Sequence, residues 1–250
     1  MAGHSKWHNI RLRKGKQDAE RGKLFTKMAR EIIVAAKQGG GNPDTNMRLK
    51  MAVQKAREAS MPQDNIKRAI QRGTGEVEGA QYDEITYEGY GAGGVAVMIA
   101  CLTDNRNRTV ADIRAILSRT GGSLGESGSV SWMFDAKGSI MVPKSSTDEE
   151  SLMMSALDAG AEDVKSDDDE NFEVLTAPGD LQAVKQALVD LSIKVLEDEL
   201  AMVPRSTITL GVKEAGQVLR MVDNLEDHDD VQQVWANFDI PEDVMEEVAG

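Results

Sequence analysis

Thr74-Gly75-Glu76-Val77-Glu78-Gly79-Ala80 is the stretch at which this chain changes both its periodicity and its sign of charge. Small residues between charges, without an apolar repeat, mark a linker. Upstream of it, apolar residues recur three and four apart, the spacing of helices. Downstream, strand-sized apolar runs alternate with helical stripes. The charge divides at the same place. Residues to Gly75 hold 17 Lys and Arg against 6 Asp and Glu, a net of +11, and the rest hold 12 against 36, a net of −24. The whole-chain charge of −13 hides this division. A concentrated basic segment on an acidic protein points at a polyanion, while the acidic remainder stays off non-specific sites.

Working back from the linker, Leu24, Phe25, Met28, Ala29, Ile32, Ile33 and Ala36 make one long amphipathic helix. Gly39-Gly40-Gly41 and the turn Asn42-Pro43-Asp44 end it. Leu49, Ala52, Val53 and Ala56 mark a second helix. Ser60 and Gln63, around Pro62, are expected to form a capping box opening a third helix through Ile66, Ala69 and Ile70.

Working forward, Ile85 to Tyr87 and Val95 to Leu102 read as strands around a glycine-rich hairpin turn, and Arg108 to Arg119 as a helix. Val130 to Phe134 and Gly138 to Val142 read as two further strands. From Ser139 to Val203 the elements follow in the order βαββαβ, the split-βαβ pattern of a ferredoxin-like domain. Thr207 to Leu210, Lys213 to Leu225 and Val231 to Phe238 then read as strand, helix and strand, and need partners from the region before Phe134. The expected fold class is therefore multidomain, α plus α+β. A basic helical bundle over 1–78 precedes two ferredoxin-like α/β domains. The first of these combines 79–134 with 206–250, and the second, 135–205, is inserted in it.

Composition limits the function classes. Hydrophobic residues make up 40% and charged residues 28%, ordinary for a globular protein. No apolar run approaches the roughly 20 residues of a membrane span, and no apolar leader precedes the basic start. One cysteine excludes an intrachain disulfide and suits a reducing compartment, so a cytoplasmic location without membrane partners is expected.

Candidate chemistry is sparse. Cys101 sits mid-run in Val97 to Leu102, a core position rather than that of an activated thiol. His4, His8 and His228 have no companions completing a metal set, and His228 falls in Glu226-Asp227-His228-Asp229-Asp230, read as a solvated acidic turn. Gly89-Tyr90-Gly91-Ala92-Gly93-Gly94 matches G-x-G-x-x-G, but a strand follows it where a phosphate site needs a helix. Asp167-Asp168-Asp169-Glu170 lacks the spacing of a calcium loop. No catalytic residue, cofactor, metal or small-molecule substrate is expected, and the chain reads as a non-enzyme.

The basic segment is more informative. Lys6, Arg11, Arg13, Lys14 and Lys16 form an arm with Trp7 and His8 interleaved, rings that can stack on bases while the cations hold phosphates. On the first helix, Lys23, Lys27, Arg30 and Lys37 fall within roughly 80° of one another at about 100° per residue, nearly opposite the apolar stripe. They are expected to form a ridge facing away from the core, a nucleic-acid site. A secondary partner loop is expected at Tyr90 together with Arg106 and Arg108, with Asp104 or Asn107 capping the helix that follows.

His4-Ser5-Lys6-Trp7, Arg13-Lys14, Gln17-Asp18-Ala19, Arg21-Gly22-Lys23, Tyr87-Glu88-Gly89-Tyr90-Gly91, Thr103-Asp104-Asn105-Arg106-Asn107-Arg108-Thr109 and Gly128-Ser129-Val130-Ser131-Trp132-Met133-Phe134 together resemble the YebC family, across essentially the whole chain. Ala92 departs from that family's usual Pro after Gly-Tyr-Gly, and His8 from its usual small residue. The resemblance implies a helical N-terminal domain with two α/β domains, the third inserted in the second, and a non-enzymatic role. It implies either a ribosome-associated translation factor or a DNA-binding transcriptional regulator. The first would grip ribosomal RNA through the basic domain and reach tRNA or ribosomal proteins through the acidic ones. The second would use a helix-turn-helix-like unit around Ala59 to Pro62, with Lys67, Arg68 and Arg72 on phosphates and Gln63, Asn65 and Gln71 on bases.

Overall fold

The computed structural model describes residues 17–168 and 170–249. Three helices open it: α1 (Gln17–Gly39), α2 (Met47–Glu58) and α3 (Gln63–Thr74). Their buried stripes, Ile32, Ile33 and Ala36 on α1, Leu49, Val53 and Ala56 on α2, Ile66 and Ala69 on α3, make one core to which Tyr82 adds its ring. Asn46 joins two of the helices. Its side chain accepts from the Leu49 amide as the N-cap of α2 and donates to the carbonyls of Ala35 and Gly40 at the end of α1. Gly73 lets α3 lie directly on α1, because a Cβ there would stand 2.5 Å from the Ile33 carbonyl oxygen. The capping box does not form. Ser60 takes a left-handed φ of 62°, and Pro62 is the N-cap with no side-chain cap.

The hairpin β1 (Asp83–Tyr90) and β2 (Ala96–Thr103) follows, then α4 (Arg106–Arg119) and the short β3 (Ser123–Leu124). With β9 (Val231–Ala236) these strands form a sheet in the order β3-β1-β2-β9. The G-x-G-x-x-G match is the hairpin turn, closed by Gly93 and Gly94 at positive φ.

The remaining elements are β4 (Phe134–Pro143), α5 (Glu149–Asp158), β5 (Asp163–Lys165), β6 (Asn171–Thr176), α6 (Leu181–Asp190), β7 (Glu197–Pro204), β8 (Ile208–Thr209), α7 (Val212–Glu226), β10 (Phe238–Asp239) and α8 (Glu242–Ala249). A second sheet runs β5-β6-β4-β7 with every ladder antiparallel, and β8 pairs with β10 in parallel. The molecule is thus mixed α/β, a helical N-terminal region followed by sheet-containing ones. Its described residues cluster into two compact units, one of 17–129 with 216–234 and one of 130–215 with 235–249.

Two strand readings change. Val130 to Phe134 and Gly138 to Val142 are not separate strands: a 3-10 turn over Ser131–Met133 leads into the single strand β4. Gly138 lies within β4, where a Cβ would meet Thr176 Oγ1 at 2.3 Å and Leu181 Cβ at 2.9 Å, so a larger residue does not fit there. Val231 to Phe238 splits at the buried Asn237, where the chain leaves one sheet and Phe238 takes up pairing with Ile208.

Candidate nucleic-acid interface

Lys6, Trp7, His8, Arg11, Arg13, Lys14 and Lys16 lie outside the described residues. On α1 the other predicted cations face away from the helical core, as their spacing requires, but three of them have partners. Lys23 donates to the Asp227 carbonyl at 3.3 Å and pairs with its carboxylate at 3.4 Å. Lys27 donates to the Glu226 carbonyl, and Arg30 donates to the Asp229 carbonyl and to Asp230 Oδ1 at 2.8 Å. Only Lys37 of the four is exposed and outside any ion pair among the described residues. The turn over 226–230 suits cations for two reasons. It carries four carboxylates, and it follows the C-terminus of α7, where unsatisfied carbonyls concentrate negative potential.

Asp230 is the centre of this contact. Its side chain is 2% exposed, yet it accepts from Arg30 and Arg108 at 2.8 Å, Thr109 at 2.7 Å and Thr103 at 3.2 Å. Burial alone would raise its pKa, but the hydrogen bonds from Arg108 and Thr109 and the nearby charge of Arg30 outweigh this and hold it below the usual carboxylate value. Arg30 also stacks over the Tyr82 ring, 5.3 Å from its centroid. His228 is not solvated as expected. It is 17% exposed, its Nδ1 accepts from the Asp230 amide, and its Nε2 lies 3.2 Å from Asp112. Only the fold brings Asp112 beside this turn, so the local acidic run gave no warning.

The secondary loop does not assemble. Tyr90 and Asp83 occupy opposite ends of β1, about 23 Å apart at ordinary strand rise. Arg106 pairs with Asp83 at 2.9 Å, whereas the Tyr90 hydroxyl donates to the Ser129 carbonyl. Arg108 is shared between Asp104 and Asp230. The cap of α4 is Asn105, which accepts from the Arg108 amide, rather than Asp104 or Asn107. Cys101 is buried, and desolvation, helped by Asp230, pushes its thiol up to about 12, so it is no nucleophile. Among the described residues no group of three His, Cys, Asp or Glu side chains could hold a metal, and no helix is long and apolar enough to cross a membrane.

Further cations of the helical region lie on α2 and α3. Lys50, Arg57, Lys67 and Arg68 are exposed, and none joins an ion pair among the described residues. Arg48, by contrast, reaches Glu31 at 2.7 Å and Glu84 at 2.9 Å. Lys50 and Arg57 were missed as candidates. Their signal was the local balance of 47–74, seven basic side chains against two acidic.

Both parts of the chain match family models. Residues 5–76 match the TACO1/YebC N-terminal domain, and 82–238 match the TACO1/YebC second and third domain. The chain belongs to the TACO1/YebC family. A TACO1/YebC relative from Pelotomaculum thermopropionicum is 57% identical over 96% of this chain and 99% of its own. One from Moorella thermoacetica is 56% identical over 99% of both. Both are named probable transcriptional regulatory protein. The crystal structure of a conserved hypothetical protein from Aquifex aeolicus is similar with a TM-score of 0.83 at 47% identity, covering 90% of this chain and 93% of that one.

Proposed function

We propose that this TACO1/YebC protein is a non-enzymatic, nucleic-acid-binding regulator of gene expression, acting as a ribosome-associated translation factor that grips ribosomal RNA through its basic N-terminal domain. The observation that carries the reading is the charge division, +11 before the linker and −24 after it. In this reading tRNA or ribosomal proteins meet the acidic domains, and the order β5-β6-β4-β7, with helices after β4 and β6, supports an inserted ferredoxin-like domain. Cys101, buried and with its thiol pushed up by desolvation, offers no nucleophile.

The second reading, DNA-binding transcription regulation, is favoured by the relatives' names. Co-sedimentation with ribosomes, set beside gel-shift binding to duplex DNA across a salt series, separates the two. If about six phosphates are neutralised, log affinity falls against log salt with a slope near −4 to −5. Ribosome binding with weak, sequence-blind DNA binding supports the translation reading. Tight binding to one DNA sequence at physiological salt, without ribosome binding, replaces it with the second.

A further inference from the structure

We propose that the helix pair α2–α3 is a sequence-blind binding surface for the backbone of double-helical RNA, with Lys50, Arg57, Lys67 and Arg68 as its phosphate contacts. The proposal rests on the nucleic-acid reading above and gives that reading a site.

Availability is the first argument. A phosphate competes for a cation against whatever carboxylate already holds it. Lys23, Arg30, Arg48, Arg106 and Arg108 are each held by one. The four side chains on α2 and α3 are exposed and unpaired among the described residues.

Placement is the second. Lys50 and Arg57, seven residues apart, lie about 20° apart around α2 and about 10 Å apart along it. Arg48 lies roughly 160° round the same helix from Lys50, and it is turned to Glu31 on α1 and Glu84 on β1. Lys50 and Arg57 therefore stand on the flank away from those elements. On α3, Lys67 and Arg68 bracket the outer face while Ile66 and Ala69 are buried. Two helices joined by the short turn over 59–62 thus carry cations on one connected unit.

The absence of a groove-reading end is the third. A recognition helix in a major groove meets base edges with its N-terminal residues. Here the exposed Asp64 occupies the first turn of α3, where a carboxylate would oppose the phosphates lining a groove, and the cations begin a turn later. The helix lies against a backbone rather than in a groove. Double-helical RNA is bound that way, through phosphates and ribose hydroxyls, because its major groove is too deep and narrow to read. Gln63 and Asn65, exposed and uncharged beside the cations, are suited to 2′-hydroxyls.

The test uses the full-length protein, a stem-loop RNA and the DNA hairpin of the same sequence. Lys50→Gln, Arg57→Gln, Lys67→Gln and Arg68→Gln are combined in one variant. A control carries Lys194→Gln and Lys213→Gln, exposed cations of the acidic region. Circular dichroism and thermal melting check both folds. For the four-site variant the RNA affinity is expected to fall at least about tenfold and the salt slope to shrink by about 3, while the control binds as wild type. Unchanged RNA binding by the four-site variant, with wild type binding well, overturns the site and leaves the nucleic-acid reading standing. Equal or tighter wild-type binding to the DNA hairpin overturns the assignment to RNA. No wild-type binding to either probe overturns both the site and the reading beneath it.

Discussion

Two sets of cations in the same helical region meet different surroundings. On α1, Lys23, Lys27 and Arg30 face the turn over 226–230 and are held by its carbonyls and carboxylates. On α2 and α3, Lys50, Arg57, Lys67 and Arg68 are exposed and outside any ion pair among the described residues. Both sets look alike in sequence, each off the apolar stripe of its helix. The difference teaches that a charge counted is not a charge available: a fixed carboxylate in a buried site outcompetes a mobile ligand, because its desolvation and positioning are already settled by folding. Lys23, Lys27 and Arg30 are accordingly read as structural, and Lys50, Arg57, Lys67 and Arg68 as free to bind.

The strongest way to break this comparison is Asp230→Ala. It leaves the largely buried Arg30 without its carboxylate, while Arg108 keeps Asp104, and removing one partner of a buried pair costs about 3–5 kcal/mol. Chemical denaturation should show the midpoint falling by that amount. A loss under about 1 kcal/mol would mean that the α1 cations are not held by this carboxylate. Arg30→Leu should cost less, about 1–3 kcal/mol, because Asp230 keeps Arg108, Thr103 and Thr109. A larger loss than that of Asp230→Ala would shift the weight of the contact to the Arg30 stack on Tyr82.

Acid sharpens the same point. The carboxyl of Asp230 is held below its ordinary value in the folded protein, so its contribution is fully present above the unfolded pKa of about 3.9 and is lost as pH falls through the lower folded value. Asp230→Asn keeps the shape without the charge. Its stability should vary less than that of wild type below about pH 4 in a denaturant series. Parallel curves for the two proteins would remove Asp230 from the account.

How much of this was readable follows from range. The α1 stripe and its opposite ridge repeat every 3.6 residues, so their faces could be placed from sequence. The ridge's partner could not, because Arg30 and Asp230 lie 200 residues apart and no local pattern joins them. β4 is not visible as one strand for a related reason: Asp135, Ala136 and Lys137 are held in it by pairing with Val203, Met202 and Ala201 of β7, far along the chain. Tyr90 and Arg106 were grouped as neighbouring loops, but antiparallel pairing sends the two ends of β1 apart. The cap readings failed more locally: Ser60 takes a left-handed φ of 62°, and Asn105, with the extended backbone that a cap needs, takes the N-cap of α4.

The smallest expected effects test the comparison from both sides at once. Lys23 and Asp227 form an exposed pair, 45% and 73% open to solvent, so Lys23→Gln should cost no more than about 0.2–1 kcal/mol. Each single neutralisation at Lys50, Arg57, Lys67 or Arg68 should change stability by less than about 0.5 kcal/mol, because no described ion-pair partner loses a contact. Nucleic-acid affinity should run the other way: the Lys23 variant binds RNA nearly as wild type does, while the α2–α3 variants weaken it and flatten its salt dependence. That crossed pattern separates a cation that folding uses from one that binding uses. A shared pattern, with both variants losing affinity and neither losing stability, would show that the turn over 226–230 yields its cations to a polyanion and that the two sets act as one surface.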